Sequence, residues 1–326
     1  QEVVQGMRFI LRDLAMVSAI IADGNVTRPR FVRMDSDDRK IAGDNPSGEY
    51  GLAAINGRYD YRITGNKGTV TYFSLNVNAG KGMSDRRLVA FLNDQSINFD
   101  REGNFTLLLS KTEPSEPGQW GKIPEDATSI MLRQYMVDRD SERLASFDIE
   151  VLGDDPGVNM PTDSEMAGRL VATNYAFVFL ATMHKTVVSR ALDNPNTFVE
   201  TDSNELGGVI SGPDNLYMIG HWIVADDEAL IIDIMPLETR YWNLALETIW
   251  HESVDYLHRP TSLTKSEVIY QSDGSVRFVV AKQNPGVDNW LDPMGVNRGF
   301  MTFRWLDSHD QTVAKPKVKL IKISEL

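Results

Sequence analysis

The densest run of reactive side chains is one short stretch, residues 238–259, reading ETRYWNLALETIWHESVDYLHR. His251, Asp255 and His258 recur at i, i+4 and i+7, so a helix here would carry all three on one face. Such a face could pass protons or hold a metal. It is not the zinc-protease pattern, because Asp255 stands where the second histidine of His-Glu-x-x-His would be. The plain alternative is a solvated polar face closed by Pro260, and no metal site is expected. Glu238 adds a carboxylate, so His251, Asp255 and Glu238 form the candidate acid–base set. Arg240, Tyr241, Trp242, Tyr256 and Arg259 lie in the same stretch, and Trp290 and Arg304 follow in NPGVDNW and FRWLD. Aromatic faces stack on planar or sugar rings and guanidinium groups grip carboxylates, so these seven are the candidate ligand-binding set. Strand alternation would put Arg240 and Trp242 on one face and Tyr241 on the other. The competing structural role is a core filled by the aromatics with arginines paired at its rim.

Other chemistries are excluded or unsupported. The 326-residue chain has no cysteine, so disulfides, thiolate metal sites and a thiol nucleophile are out. No Gly-x-Ser-x-Gly elbow occurs. NAGKGMS at 78–84 lacks the spacing of a phosphate loop, and no organic cofactor is expected. His184, His221 and His309 have no serine neighbour in such a context. A net charge of −13 repels nucleic acid and anionic membranes, and the longest apolar run, 175–181, is too short to cross a bilayer. The expected partners are a small-molecule or glycan ligand, or a second copy in a homo-oligomer. The expectation is a soluble protein, cytoplasmic or exported with its signal peptide removed.

The elements that must position these residues are written twice. The separation from Gly103 to Gly274 equals that from Arg133 to Arg304. The pairs Trp120 and Trp290, and Asp44 and Asp214, fall one position short of it. TYFSLNV at 71–77 and RYWNLAL at 240–246 keep nearly the same spacing. Landmarks that keep their order over half a chain indicate an internal duplication. Alternating apolar and polar residues predict antiparallel strands, with hairpins at Asn56-Gly57, Asp226-Asp227 and Asp273-Gly274. Pro-Gly at 117–118 and 285–286 suits type II turns. Helix is predicted over 1–22, over 163–192 after a cap at Thr162 or Asp163, and in the later part of 241–258 up to Pro260. The predicted fold class is β-rich α+β: two related antiparallel β-sandwich-like domains from an internal duplication, with an N-terminal and a central helix. The predicted segments are 1–39 (helical), 40–155 (first β-domain), 156–204 (central helix and linker) and 205–326 (second β-domain), with linkers at 153–161 and 193–204.

RYWNLALE, SLTKSE, SDGSVRFVV, NPGVDNWLD and GFMTFRWL, in that order, resemble the bacterial domain of unknown function numbered 1214, which often travels with one numbered 1254. The likeness is strongest over 216–306; DNPSGEY, YDYRITG and LRQYMVD extend it more weakly into the first copy. It implies a β-rich fold packed with helices and no established chemistry. Three functions stay open: a cofactor-independent hydrolase or lyase on a carbohydrate-like or acidic small molecule, a non-catalytic glycan or small-ligand binder, and a structural assembly module.

Overall fold

The computed structural model describes residues 1–80, 85–115, 117–153, 157, 160–201, 212–307 and 313–326. His309 and most of 78–84 therefore lie outside the described residues. The first half runs through helix α1 (Glu2–Val17), a π-helical turn (Ser18–Ala22) and strands β1 (Val32–Arg33), β2 (Gly48–Ala54), β3 (Tyr61–Asn66), β4 (Tyr72–Ala79), β5 (Arg87–Asn93), β6 (Asn104–Ser110), β7 (Gln119–Lys122), β8 (Ala127–Tyr135) and β9 (Ser146–Val151). The second half repeats that order: α2 (Asp163–Thr182), α3 (Lys185–Leu192), then β10 (Thr197–Thr201), β11 (Asn215–Ile223), β12 (Glu228–Ile234), β13 (Trp242–Glu247), β14 (Ser262–Thr264), β15 (Val276–Val280), β16 (Trp290–Leu291), β17 (Arg298–Leu306) and β18 (Lys317–Lys322).

Sheet topology repeats as well. The orders β1-β2-β8-β4-β5 and β7-β6-β3-β9 in one half match β10-β11-β17-β13-β14 and β16-β15-β12-β18 in the other. Register agrees in detail. Arg133 lies opposite Tyr50 and Ser74, and Arg304 opposite Tyr217 and Asn243. Trp120 pairs with Leu108 and Trp290 with Val279 across parallel ladders. Their indole N–H groups donate to Ser110 Oγ (2.8 Å) and Ala281 O (2.7 Å), acceptors separated by the same offset as the two arginines. Helix precedes the strands of each copy, α1 with its π-helical turn in the first and α2 followed by α3 in the second.

The chain divides into two compact units. One holds residues 10–36 and 48–182; the other holds 1–9, 37–47 and 183–326. In the first unit, Phe73, Leu75 and Val77 of β4 meet Tyr61, Ile63, Phe105 and Leu107 of the facing sheet. In the second, Trp242, Leu244 and Leu246 of β13 meet Leu230, Ile232, Phe278 and Val280. Each unit is a sandwich whose core lies between a five-stranded and a four-stranded sheet.

Several turns differ from expectation. Asn56-Gly57 and Asp226-Asp227 are not hairpins, because the strands they join belong to different sheets. Gly57 is needed for close approach: a Cβ there would sit 2.0 Å from Pro124 O. At Asp273-Gly274 the turn forms, with Gly274 N–H donating to Gln271 O at 2.9 Å, although only β15 follows it as a strand. Gly286 has φ +78°, as its Pro-Gly turn requires, whereas Gly118 is not left-handed. The helix predicted within 241–258 does not form; after β13 the chain turns tightly at 248–252. Thr248 Oγ1 accepts the Trp250 N–H, and His251 takes φ +60°, which a helix cannot continue.

Gly103 (φ +86°) and Gly274 (φ +84°) occupy the same turn of the two copies, while Gly118 has open space around it. Gly103→Ala and Gly274→Ala are therefore each expected to cost about 1–2 kcal/mol in urea unfolding, and Gly118→Ala close to nothing.

Candidate functional site

The five-stranded sheet of the second unit is covered on both faces. Period-two alternation sends Trp242, Leu244 and Leu246 into the core and Asn243, Ala245 and Glu247 to the opposite face. Arg304 and Thr302 of β17 reach that same face, as the Asn243↔Arg304 and Ala245↔Thr302 register shows. Val187 and Ala191 of α3 cover part of it, packing on Ile219 and Phe300. Residues 37–47 and the 248–253 turn close over the remainder through hydrogen bonds to Arg304 and between Asp44 and Ser253. Polar side chains that would be solvated on an open sandwich are therefore buried, and they must pair with one another.

They do so around Glu247. Its Oε1 accepts from Arg304 Nη2 at 2.9 Å and its Oε2 from Thr302 Oγ1 at 2.9 Å. His251 Nδ1 lies 2.5 Å from Oε2. Arg304 Nη2 also donates to the carbonyls of Gly43 (3.1 Å) and Asp44 (2.9 Å). The Asp44 carboxylate accepts from Ser253 N–H (2.6 Å) and Ser253 Oγ (2.5 Å). Asn45 Oδ1 accepts from Asn243 Nδ2 (2.8 Å) and the Tyr241 hydroxyl (3.1 Å). His184, at the break between α2 and α3, stands edge-on to His251 with ring centroids 4.8 Å apart. It is the most exposed of the charged and imidazole members at 9%, and its Nδ1 has no hydrogen-bond partner. Gly43 backs both rings: a methyl there would lie 2.7 Å from His184 Cε1 and 3.4 Å from His251 Nε2.

This setting drives the titrations apart. Burial pushes the Asp44 carboxyl up, and the bonds from Ser253 only partly offset it. Burial also pushes Glu247 up, but the charges of His251 and Arg304, with their hydrogen bonds, outweigh it and hold Glu247 below the usual carboxylate range. Desolvation, then the positive fields of His251 and Arg304, hold His184 well below an ordinary imidazole. One carboxyl is thus shifted up, and the other carboxyl and the His184 imidazole down, within a single buried cluster. Among the described residues no group of three imidazole or carboxylate side chains is arranged to hold a metal ion.

Of the sequence-derived candidates, His251 and Arg304 meet at Glu247, and Tyr241 joins through Asn45. The others do not converge there. Asp255 pairs with His258 at 2.9 Å on the surface, so the three-residue face of 251, 255 and 258 does not exist. Glu238 is fully exposed beside Lys265 (3.6 Å). Arg240 pairs with Asp307 (2.6 Å) and Arg259 with Asp292 (2.7 Å). Trp242 is core, Trp290 is half-buried with its N–H satisfied, and the Tyr256 ring carries Lys40 Nζ at 3.8 Å. Arg240 and Trp242 thus do not share a face as the alternation suggested, because the strand begins only at Trp242.

The residues missed are Glu247, His184, Asp44, Ser253 and Thr302. A signal existed for Glu247. By register it corresponds to Asn78, since Asn78 faces Ser129 as Glu247 faces Phe300, and Ser129 and Phe300 keep the offset that relates Arg133 to Arg304. Arg133 and Arg304 are shared by the copies, whereas the carboxylate belongs to the second alone.

The model of a protein of unknown function, DUF1214, matches residues 50–139 and 230–310, together a little over half of the chain. The chain belongs to the DUF1214 family. Its two matched regions fall in the two copies, so the family's pattern is itself present twice. A crystal structure of an uncharacterized protein from Burkholderia cenocepacia is similar at 27% identity and a TM-score of 0.89, covering 99% of this chain and 90% of that one. A protein from Vibrio parahaemolyticus shares the fold at 9% identity and a TM-score of 0.55, covering 97% of each chain. Among curated proteins there is no match. No helix among the described residues is long and apolar enough to cross a membrane.

Two outcomes test the network. Arg304→Met leaves Glu247 buried without its guanidinium and should cost about 3–5 kcal/mol in urea unfolding; adding Glu247→Gln should recover part of that loss. The second outcome concerns pH. His184 and His221 are both held below the ordinary imidazole value of 6.5 by burial. Below that value the unfolded chain takes up protons that the folded chain refuses, so stability falls as pH falls. Asp44, with its raised carboxyl, opposes this at lower pH. A fully buried imidazole such as His184 contributes up to about 1.4 kcal/mol per pH unit. Denaturation of His184→Gln between pH 7 and 5 should show a correspondingly shallower loss than the unmodified chain.

Proposed function

We propose that the second unit carries a cofactor-independent acid–base site at Glu247, His251, His184 and Asp44, serving a hydrolase or lyase that acts on a small acidic molecule. The observation that carries this reading is the buried pair of edge-on imidazoles beside the Glu247 carboxylate, with His184 Nδ1 left without a hydrogen-bond partner. His184, the most exposed of the set, offers Nδ1 to a substrate, the His251–Glu247 contact supplies a carboxylate-backed imidazole for proton transfer, and Arg304 favours an anionic substrate. His251 supports it further: a non-glycine residue at φ +60° stores backbone strain, which collects at working sites.

A second reading, an assembly module without turnover, draws on the closed ion pairing of Glu247 and Arg304 and on the exposed apolar faces of α1 and α2. Glycan capture by stacked tryptophans draws little support: Trp222, Trp242 and Trp305 are fully buried, Trp120 and Trp290 are half-buried with their indole N–H groups bonded, and the exposed Trp250 stacks on Phe9.

The test uses a panel of small carboxylic acids, hydroxy acids and esters, scored by thermal stabilisation of the intact chain and by product formation. A member of the panel should raise the melting temperature, since a ligand of the native state stabilises by linkage. Glu247→Gln and His184→Asn should abolish turnover, and Asp255→Ala should leave it intact. No stabilisation by any panel member, or turnover that survives both site variants, ends the acid–base reading.

A further inference from the structure

The segment DGNVTRPRFVR, residues 23–33, carries arginines at 28, 30 and 33 on a chain whose net charge is −13. Arg33 pairs with Glu49 at 3.0 Å. Arg28 and Arg30 instead line a cavity of about 230 Å³ that lies wholly within the first unit. The loop that presents them is held in shape. Asn25 Oδ1 accepts the backbone N–H groups of Thr27 (2.9 Å) and Arg28 (3.1 Å), and the Thr27 hydroxyl (2.9 Å). Pro29, between the two arginines, fixes its own φ. The π-helical turn supplies another part of the lining through Ile20 and Asp23. Asp23 N–H closes that turn on Ser18 O at 3.1 Å, and Arg169 Nη1 of α2 holds Ala22 O at 3.0 Å. Gly24 permits a close approach to β2, because a Cβ there would lie 2.3 Å from Ile20 O and 3.3 Å from Ala54 Cβ. Among the described residues neither the Asp23 carboxylate nor the Arg30 guanidinium has a hydrogen-bond or ion-pair partner. One small cavity therefore collects two cationic side chains, one anionic side chain and an apolar wall of Ile20, Val32 and Ala54.

We propose that this cavity binds a free α-amino acid with a short aliphatic side chain. Each part of such a ligand has a counterpart in the lining. Guanidinium groups grip a carboxylate through charge-assisted, often bidentate hydrogen bonds, which gives Arg28 and Arg30 their role. The ammonium group suits Asp23 and the end of the helical turn, since the last carbonyls of a helix lack intrahelical partners and form its negative pole. Ile20, Val32 and Ala54 receive the aliphatic side chain. Size points the same way: the cavity falls below the ~300–1,000 Å³ that drug-sized ligands fill, so its occupant has few heavy atoms. A plain carboxylic acid would leave Asp23 buried beneath it without a cation, and a plain amine would be repelled by two guanidinium groups. π-Helical turns recur at functional sites, and this one sits at the cavity. The cavity and the Glu247 cluster belong to different units, so this inference does not rest on the acid–base reading.

Isothermal titration of the intact chain supplies the test. The probes are alanine, valine and leucine, with isovalerate and isobutylamine, which are valine without its amino group and without its carboxylate. At least one amino acid should bind, isovalerate about tenfold or more weakly than valine, and isobutylamine not at all. Arg30→Met and Asp23→Asn, both at exposed positions, should each weaken amino-acid binding about tenfold or more while the melting temperature of the unliganded chain stays unchanged. Asp23→Asn should also narrow the gap between valine and isovalerate. His184→Asn, in the other unit, should leave binding as it was. No binding by any of the three amino acids up to about 10 mM overturns the proposal. So does isovalerate binding as tightly as valine, or an affinity unchanged by either Arg30→Met or Asp23→Asn. Binding lost in His184→Asn would assign the ligand to the Glu247 cluster and also overturn it.

Discussion

The ion pair of Arg304 and Glu247 is the constraint around which the second unit is arranged. A charged pair on the outer face of a sheet is ordinary while water covers it. Here α3, residues 37–47 and the 248–253 turn cover it, and desolvation makes any unpaired charge costly. The response is visible in the bonding. Two main-chain carbonyls, a threonine hydroxyl and an imidazole converge on the two charged groups, and the segment that provides the carbonyls is held by Asp44 and Ser253. Moving Arg304 would release the 37–47 segment, the turn that strains His251 and the seat of His184 together.

Duplication explains why such a face exists, and divergence explains why it is distinctive in one copy only. Both copies write an alternating strand, YFSLNVNA and YWNLALE, whose apolar residues fill a sandwich core. In the first copy the outward residues Ser74, Asn76 and Asn78 are neutral, and in the second Glu247 replaces the asparagine. A shared arginine with an unshared carboxylate is the imprint of one copy acquiring charge chemistry on a scaffold that both still share.

The sequence by itself determined the architecture. Period-two alternation identified the sandwich strands, and the near-constant offset of Gly103/Gly274, Trp120/Trp290 and Arg133/Arg304 identified the repeat, because strand register preserves spacing. The site was only partly legible. His251 and Arg304 stood out by residue type, but Asp255, His258, Glu238, Arg240 and Arg259 looked equally reactive and proved to be surface ion-pair partners. Sequence spacing assumed a helix after β13, and a hydroxyl-capped turn with a left-handed histidine took its place. Only the tertiary structure decided that the outer face of the sheet is covered, since coverage depends on α3 and on residues 37–47, both remote in sequence from β13 and β17. The same burial turned Glu247, unremarked in LALE, into the centre of the network, and brought Asp44 and His184 to it from two distant loops.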